Sequence, residues 1–347
     1  KRPNALKKSV QTPIKYTNIT TKNKKTVGVV GGSGYTGGEL LRLLLNHPHV
    51  VLDFVYSTTR SGKPITSAHP DLLGQTELLF SNEINPDVDV LFLCLGHGVS
   101  GTFLHENPVN DNTKIIDLSN DFRLQADHHF MGKSFVYGLP EFQKAAIQSA
   151  QAIANPGCFA TAIQLALLPL ADAGWLTNDV HIHALTGSTG AGIKPSDTGH
   201  FSWRNNNVSW YKPFTHQHLG EIGETLSEAQ GNLPELHFLP IRGNFTRGIF
   251  VTAYTSFSGT EAEAKRIYQK YYADHPFTHM SETAIHLKQV VNTNNCVIHL
   301  HKHGNQLLIT SVIDNLLKGA SGQAVENMNL TCGWPQETGL QLKANVF

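Results

Sequence analysis

The sequence predicts an α/β protein of two domains, the first on a parallel sheet and the second on a mostly antiparallel one. Three observations carry this. Residues 26–31, "TVGVVG", form a short β-branched run that stops at glycines. The leucines of "ELLRLLLNHP" then recur at helical spacing, and "VVLDFVY" (50–56) is strand-like again. Strand, glycine turn, helix and strand in about 30 residues make a βαβ unit. From about residue 180 the texture changes to short strands between amphipathic helices, which suits an antiparallel sheet.

The elements follow in order. "DVLFLCLG" (89–96) and "KIIDLS" (114–119) are nearly continuous apolar runs, as strands covered on both faces require. "FATAIQLALLPL" predicts a helix that bends or ends near Pro169. "VHIHALTG", "GIFVTAYTSF" and "VIHLHKH" read as strands, and "EAEAKRIYQKYYADH" as a helix. The stretch "GASGQAVENMNL" (319–330) predicts a last helix whose small Ala320 and Ala324 permit close approach to the first domain. The expected division is a basic tail at 1–25, a Rossmann domain at 26–155 joined by 320–347, and an α+β domain at 156–319.

Composition sets bounds. Apolar residues are 40% and charged residues 16%, enough for a real core. No apolar run approaches the roughly 18 residues of a membrane span. The tail holds eight Lys or Arg and no acid. Subtracting them from the 27 basic residues leaves 19 against 27 acids, so the body carries about −8. No basic, aromatic-interleaved face for nucleic acid is present. The tail lacks the apolar core of a secretory signal and reads as loosely attached. Four scattered cysteines without a CxxC pair favour free thiols in a reducing compartment. A cytoplasmic location is expected, with organellar targeting as the alternative.

"GVVGGSGYTGGELLRLL" places Gly31, Gly34 and Gly37 at the strand-to-helix turn, with Ser33, Tyr35 and Thr36 between them. This is read as GxxGxxG, Ser33 standing where a middle glycine is usual. Glycines there let backbone N–H groups and a helix N-terminus meet a pyrophosphate. An NAD site usually closes its second strand with an acid. Here "YSTTRSGK" (56–63) offers Ser57, Arg60 and Ser61 instead, which suits the 2′-phosphate of NADP. A plain polar loop is the alternative.

Cys158 lies in "ANPGCFATA" (154–162), directly behind Asn-Pro-Gly and ahead of the apolar helix. A free cysteine there is either a small buried hydrophobe or a nucleophile. The turn sets it at a helix start, which favours the thiolate. His299, His301 and His303 alternate along one strand, but no fourth ligand is evident and no metal is expected.

Eight segments identify a resemblance: "GGSGYTGGELLRLLLNHP", "LSNDFRL", "YGLPE", "NPGCFATA", "TGSTGAG", "FTHQHLGEI", "GNFTRGI" and "DNLLKGASGQAVEN". With them the chain resembles the N-acetyl-gamma-glutamyl-phosphate reductases, relatives of the aspartate-semialdehyde dehydrogenases. Gln217 and Gly220 stand where that family usually has Arg and Pro. The resemblance implies an NADPH-dependent reduction of an acyl phosphate to a semialdehyde in arginine biosynthesis, by a homodimer or homotetramer. It makes residues 156–319 the catalytic and dimerisation domain and Cys158 the nucleophile that forms a thioacyl intermediate. It gives His218 the acid-base role and His216 a substrate contact. Arg123 resembles the phosphate-side arginine, and Arg247 is a candidate for the substrate carboxylate. Lys194 and the backbone around Ser188 and Gly190 are candidates for phosphate. Asn155 is a candidate oxyanion donor and Asn315 a nicotinamide contact. The acyl group on the substrate nitrogen, acetyl or succinyl, stays open, as does an aspartyl phosphate substrate.

Overall fold

The computed structural model describes residues 24–346, so the expectation for the basic tail falls, but for Lys24 and Lys25, outside the described residues. The first sheet has eight strands. In chain order they are β1 (Lys25–Val30), β2 (Val50–Tyr56), β3 (Phe80–Ser81), β4 (Val90–Leu93), β5 (Lys114–Asp117), β6 (His129–Phe130), β7 (Lys133–Tyr137) and β8 (Ala152–Ala154). Their spatial order is β3-β2-β1-β4-β5-β8-β7-β6, and every pairing is parallel except β6 with β7. Three helices serve this sheet: α1 (Tyr35–Leu45), α2 (Ser100–Glu106) and α3 (Pro140–Ser149). Helix α1 follows the leucine spacing, with Leu40, Leu41, Leu43 and Leu44 buried.

Helix α4 (Cys158–Asp172) carries the chain into the second domain. Every residue from Phe159 to Ala171 is buried, so it is a core helix wrapped on all sides. Each buried Leu or Ile contributes roughly 1.5–3 kcal/mol. As expected, the helix ends near Pro169, three residues beyond it. Proline there cannot donate to the Leu165 carbonyl. The Tyr272 hydroxyl donates to that oxygen instead (2.5 Å), so the orphaned acceptor is satisfied by a tertiary contact.

The second sheet has seven strands: β9 (Val180–Thr186), β10 (Ser209–Trp210), β11 (Leu236–Arg242), β12 (Ile249–Ser256), β13 (Thr278–Met280), β14 (Cys296–His303) and β15 (Gln306–Ile313). Their order is β10-β11-β9-β12-β15-β14-β13; β9–β11 and β13–β14 are parallel and the other four pairings antiparallel. One face packs on α4, and α5 (Phe201–Arg204), α6 (His218–Gln230) and α7 (Glu261–Tyr271) complete the layer's helices.

The last helix is α8 (Gly322–Thr331), preceded by a single π-turn at Leu317–Ser321. It returns to the first domain as expected, with Ala324 and Met328 in the same core as Leu40 and Val90. The π-turn binds the two domains together. Ser321 Oγ donates to the Thr36 carbonyl of α1 (2.7 Å), and a Cβ on Gly319 would stand 2.8 Å from that of Cys158.

Candidate active site

The chain leaves β8 through Asn155, Pro156 and Gly157, and Cys158 is the first residue of α4. Gly157 is required for space rather than for backbone angle. A Cβ there would lie 2.4 Å from His218 Nε2 and 2.8 Å from Arg123 Nη1. Thus the imidazole and a guanidinium press against the residue before the thiol. His218 is the first residue of α6, and its N–H donates to His216 Nδ1 (3.2 Å). The two rings meet edge to face at 4.6 Å, with Phe159 beside both.

One carboxylate organises this cluster. Glu221 lies one turn after His218 and is buried. It accepts from Arg123 Nη1 (2.9 Å) and from the Gly157 N–H (2.9 Å), and the Tyr137 hydroxyl lies 2.9 Å away. His218 Nε2 stands 3.8 Å from it. Burial pushes Glu221 up, but Arg123, His218 and the Gly157 N–H outweigh it and hold the carboxyl below its ordinary range. Sequence reasoning passed over Glu221, although its i,i+3 spacing from His218 places both on one helix face.

Burial sets the protonation of the pair. It pushes the half-buried Cys158 thiol up to about 11, while the Phe159 N–H and Arg123 pull the other way. This corrects the expectation that the helix start would favour the thiolate: desolvation outweighs the helix terminus. Burial likewise pulls His218 down to about 3 and His216 to about 4. At neutral pH the thiol and the imidazole that packs on Gly157 are therefore both uncharged.

Several expected contacts are otherwise engaged. Arg123 is buried, its Nη1 on Glu221 and its Nη2 on the Leu118 carbonyl (2.9 Å), so it backs the thiol rather than facing an open phosphate site. Arg247 is also taken: Nη1 pairs with Glu39 of α1 (2.6 Å) and Nη2 with Asp314 (3.0 Å). It clamps one domain to the other through hydrogen bonds from Nη1 to Glu39 and from Nε to Asp314, while its buried Nη2 makes no hydrogen bond. Asn155 donates one amide N–H to the Ala320 carbonyl (3.1 Å) and accepts from Asn327 (3.0 Å). Ser188 and Thr189 give their N–H groups to Phe245 and Thr246, and Gly190 gives its to Gly187, so they form no phosphate nest. Asn315 is buried, accepting from the Gly248 N–H (2.6 Å) and donating to Thr189. Lys194 sits in the exposed segment 191–200.

The glycine turn also needs one correction. Gly32, Gly34 and Gly37 form a regular GxGxxG register, and Gly32 was missed. A Cβ on Gly32 would lie 2.2 Å from Val55, and one on Gly37 would lie 2.7 Å from Gly32, so both allow helix and strand to close. Gly31 stands at φ 77°, where glycine is favoured. Gly34 caps α1 without a side-chain bond, no acid lies in the first turn, and a Cβ there would meet nothing nearer than 3.9 Å. The free N–H groups of that turn thus face an open cradle that fits a pyrophosphate. Tyr35 beside it is 40% exposed. His69, also overlooked, buttresses the turn from behind through the Gly32 carbonyl (2.7 Å). At the end of β2, Ser57 Oγ meets Ser33 Oγ at 3.4 Å. Half-buried Arg60 donates to the Ser67 carbonyl (3.2 Å), and Ser61 is exposed.

All four cysteines are free. Among the described residues the group spaced for a metal ion is Asp179, Glu235 and His237, at the sheet edge, not the histidines of β14. No helix among them is long and apolar enough to cross a membrane.

Comparison with known proteins gives a consistent pattern. Residues 26–150 match the semialdehyde dehydrogenase NAD binding domain, and residues 158–315 match the semialdehyde dehydrogenase dimerisation domain. An N-acetyl-gamma-glutamyl-phosphate reductase of Flavobacterium johnsoniae is 60% identical over 322 residues, covering 92% of this chain and 99% of that one. The protein of that description from Christiangramia forsetii is 57% identical over 321 residues, with the same coverage. Among solved structures, aspartate semialdehyde dehydrogenase II of Vibrio cholerae, complexed with ASA, shares the fold at TM-score 0.70 and 15% identity. That match covers 89% of this chain and 98% of the other. The Candida albicans aspartate semialdehyde dehydrogenase with NADP shares it at TM-score 0.64 and 13% identity, over 88% and 98%.

Proposed function

The chain belongs to the semialdehyde dehydrogenase family, and from that premise we propose that it reduces N-acetyl-gamma-glutamyl phosphate to N-acetyl-glutamate 5-semialdehyde, releasing phosphate, in arginine biosynthesis. The observation that carries this reading is the meeting of Cys158, His218 and Glu221 around Gly157, in a chain 60% identical to a reductase of that description.

His218 takes the thiol proton as Cys158 Sγ attacks the acyl carbonyl. The tetrahedral centre collapses, the carbonyl–phosphate bond breaks, and a thioester on Cys158 remains. Glu221 lies near enough to stabilise the imidazolium that forms, while Arg123 keeps that carboxylate ionised. The Gly32–Gly37 turn would hold NADPH, with Arg60 and Ser57 available for its 2′-phosphate, and the cofactor would supply the hydride. His218 returns its proton to Cys158 as the carbon–sulfur bond breaks and the aldehyde leaves.

The dimerisation domain of the matched family supports self-association. Exposed apolar side chains gather inside that region at Ile193, Phe201, Trp203, Val208, Trp210 and Phe214. We read the assembly as a homodimer or homotetramer working in the cytoplasm.

The test is the reverse reaction with NADP and phosphate on three aldehydes: N-acetyl-glutamate semialdehyde, its N-succinyl counterpart and aspartate semialdehyde. Phosphate-dependent oxidation of an N-acyl-glutamate semialdehyde is expected. Preference for aspartate semialdehyde would move the chain to the sister activity.

A further inference from the structure

A cleft of about 450 Å³ opens where α3 of the first domain, the turn from α7 to β13 of the second and the segment following α8 meet. It shares no residue with the site around Cys158. We propose that this cleft is a binding site for a free dibasic α-amino acid, a molecule with two cationic groups and one carboxylate.

The volume lies within the roughly 300–1,000 Å³ of small-molecule sites. The walls carry the ligand's charge pattern in reverse. Asp274 and Glu337 offer two carboxylates and Lys144 one ammonium. Among the described residues none of the three enters an ion pair. His275 feels the charges of both Lys144 and Asp274, so the two face one opening. Trp334 adds an indole ring, set by His47 and His49 at 5.3 and 5.1 Å, and an indole face attracts an ammonium or guanidinium.

A second observation is independent of these charges. Gln336 lines the cleft and is only 6% exposed, and its Oε1 has no hydrogen-bond partner; neither has His275 Nδ1. An acceptor left in that state costs free energy that an N–H donor recovers. The Gln336 amide is fixed from behind, its Nε2 donating to Glu326 Oε1 (2.6 Å). Glu326 Oε2 accepts from Asn294 (2.9 Å) and Lys318 (2.8 Å), and Lys318 also meets Glu141. Two carboxylates thus share one ammonium behind the wall, and the excess negative charge favours a cationic donor in front of it. Lys144 belongs to the first domain and Asp274 to the second, so the ligand spans the domain junction.

The full chain is titrated calorimetrically with L-lysine, L-arginine, L-norleucine, which lacks the side-chain cation, and cadaverine, which lacks the carboxylate. Saturating NADP and N-acetyl-glutamate keep the active site occupied. One-to-one binding of L-lysine or L-arginine with Kd below about 1 mM is expected, about tenfold or more tighter than norleucine or cadaverine. The ligand, bound only by the folded chain, should raise Tm by a few degrees at a large excess over Kd. Asp274→Asn and Glu337→Gln, isosteric changes at the cleft surface, should each weaken the dibasic ligands about tenfold and leave norleucine unaffected. Lys144→Gln should erase the preference over cadaverine. No binding at millimolar ligand, norleucine binding as tightly as L-lysine, or affinities untouched by Asp274→Asn and Glu337→Gln would overturn the proposal.

Discussion

Cys158 and His218 form a neutral pair, and that has a measurable signature. With burial holding the thiol up to about 11 and the imidazole down to about 3, little thiolate exists at pH 7 without substrate. Alkylation of Cys158 by iodoacetamide should be slow at pH 7 and still rising above pH 9. A plateau below pH 7.5 would show that the helix start and Arg123 outweigh desolvation. At the other end of the cofactor, the role proposed for Arg60 is to hold a 2′-phosphate by charge-assisted bonds, each worth roughly 1.5–3 kcal/mol. Arg60→Ala is therefore expected to lower kcat/KM for NADPH about 10–150-fold and hardly touch NADH. Equal losses for the two cofactors would reduce Arg60 to a support for the Ser67 loop.

The elements meet at glycines. Gly157 lets α4 begin against the start of α6, so Gly157→Ala drives a methyl group into His218 Nε2 and Arg123. Displacement by about 1 Å costs roughly 100-fold in rate, so kcat should fall by that order while NADPH binding, which uses the other domain, stays intact. Unchanged kcat would mean the imidazole works from elsewhere. Much at this scale was legible in the sequence: β2 occupies the expected residues 50–56, and α1, β9, β12 and β14 lie where periodicity placed them. Long-range contacts were not legible. The helix ends near Pro169 as expected, but that it carries three residues past the proline depends on Tyr272, more than 100 residues away in sequence, which satisfies the carbonyl that proline orphans. Arg247 was read as a substrate contact because its partner Glu39 is separated from it by 208 residues. Glu221 and Gly32 were legible and missed, the first by i,i+3 spacing and the second by choosing the wrong glycine register.

The whole molecule is held by contacts between the domains that converge near the active site: Arg247 on Glu39 and Asp314, Ser321 on α1, and Lys318 buried between Glu141 and Glu326 (both 2.8 Å). Its response to acid follows from buried histidines. His47 and His216 are pulled down to about 4, and His218 to about 3, each mainly by burial. The unfolded chain protonates these groups near pH 6.5 and the native one does not. Stability is thus full above pH 6.5 and falls as pH drops toward 4, by about 1.4 kcal/mol per pH unit for fully buried His218. Asp117, pushed up by burial to about 6, has the opposite slope and offsets one of the three. Tm should fall between pH 7 and pH 5, less steeply in His218→Gln; a rise on acidification would contradict this assignment of buried neutral histidines.

The central claim is a thioester on Cys158. It is tested by quenching enzyme mixed with N-acetyl-gamma-glutamyl phosphate in the absence of NADPH and measuring the mass of the peptide that contains Cys158. The expected result is one N-acetyl-glutamyl adduct per active site on that peptide, released as aldehyde on adding NADPH and absent in Cys158→Ser. Steady turnover with no adduct, or substantial activity in Cys158→Ser, would contradict the mechanism.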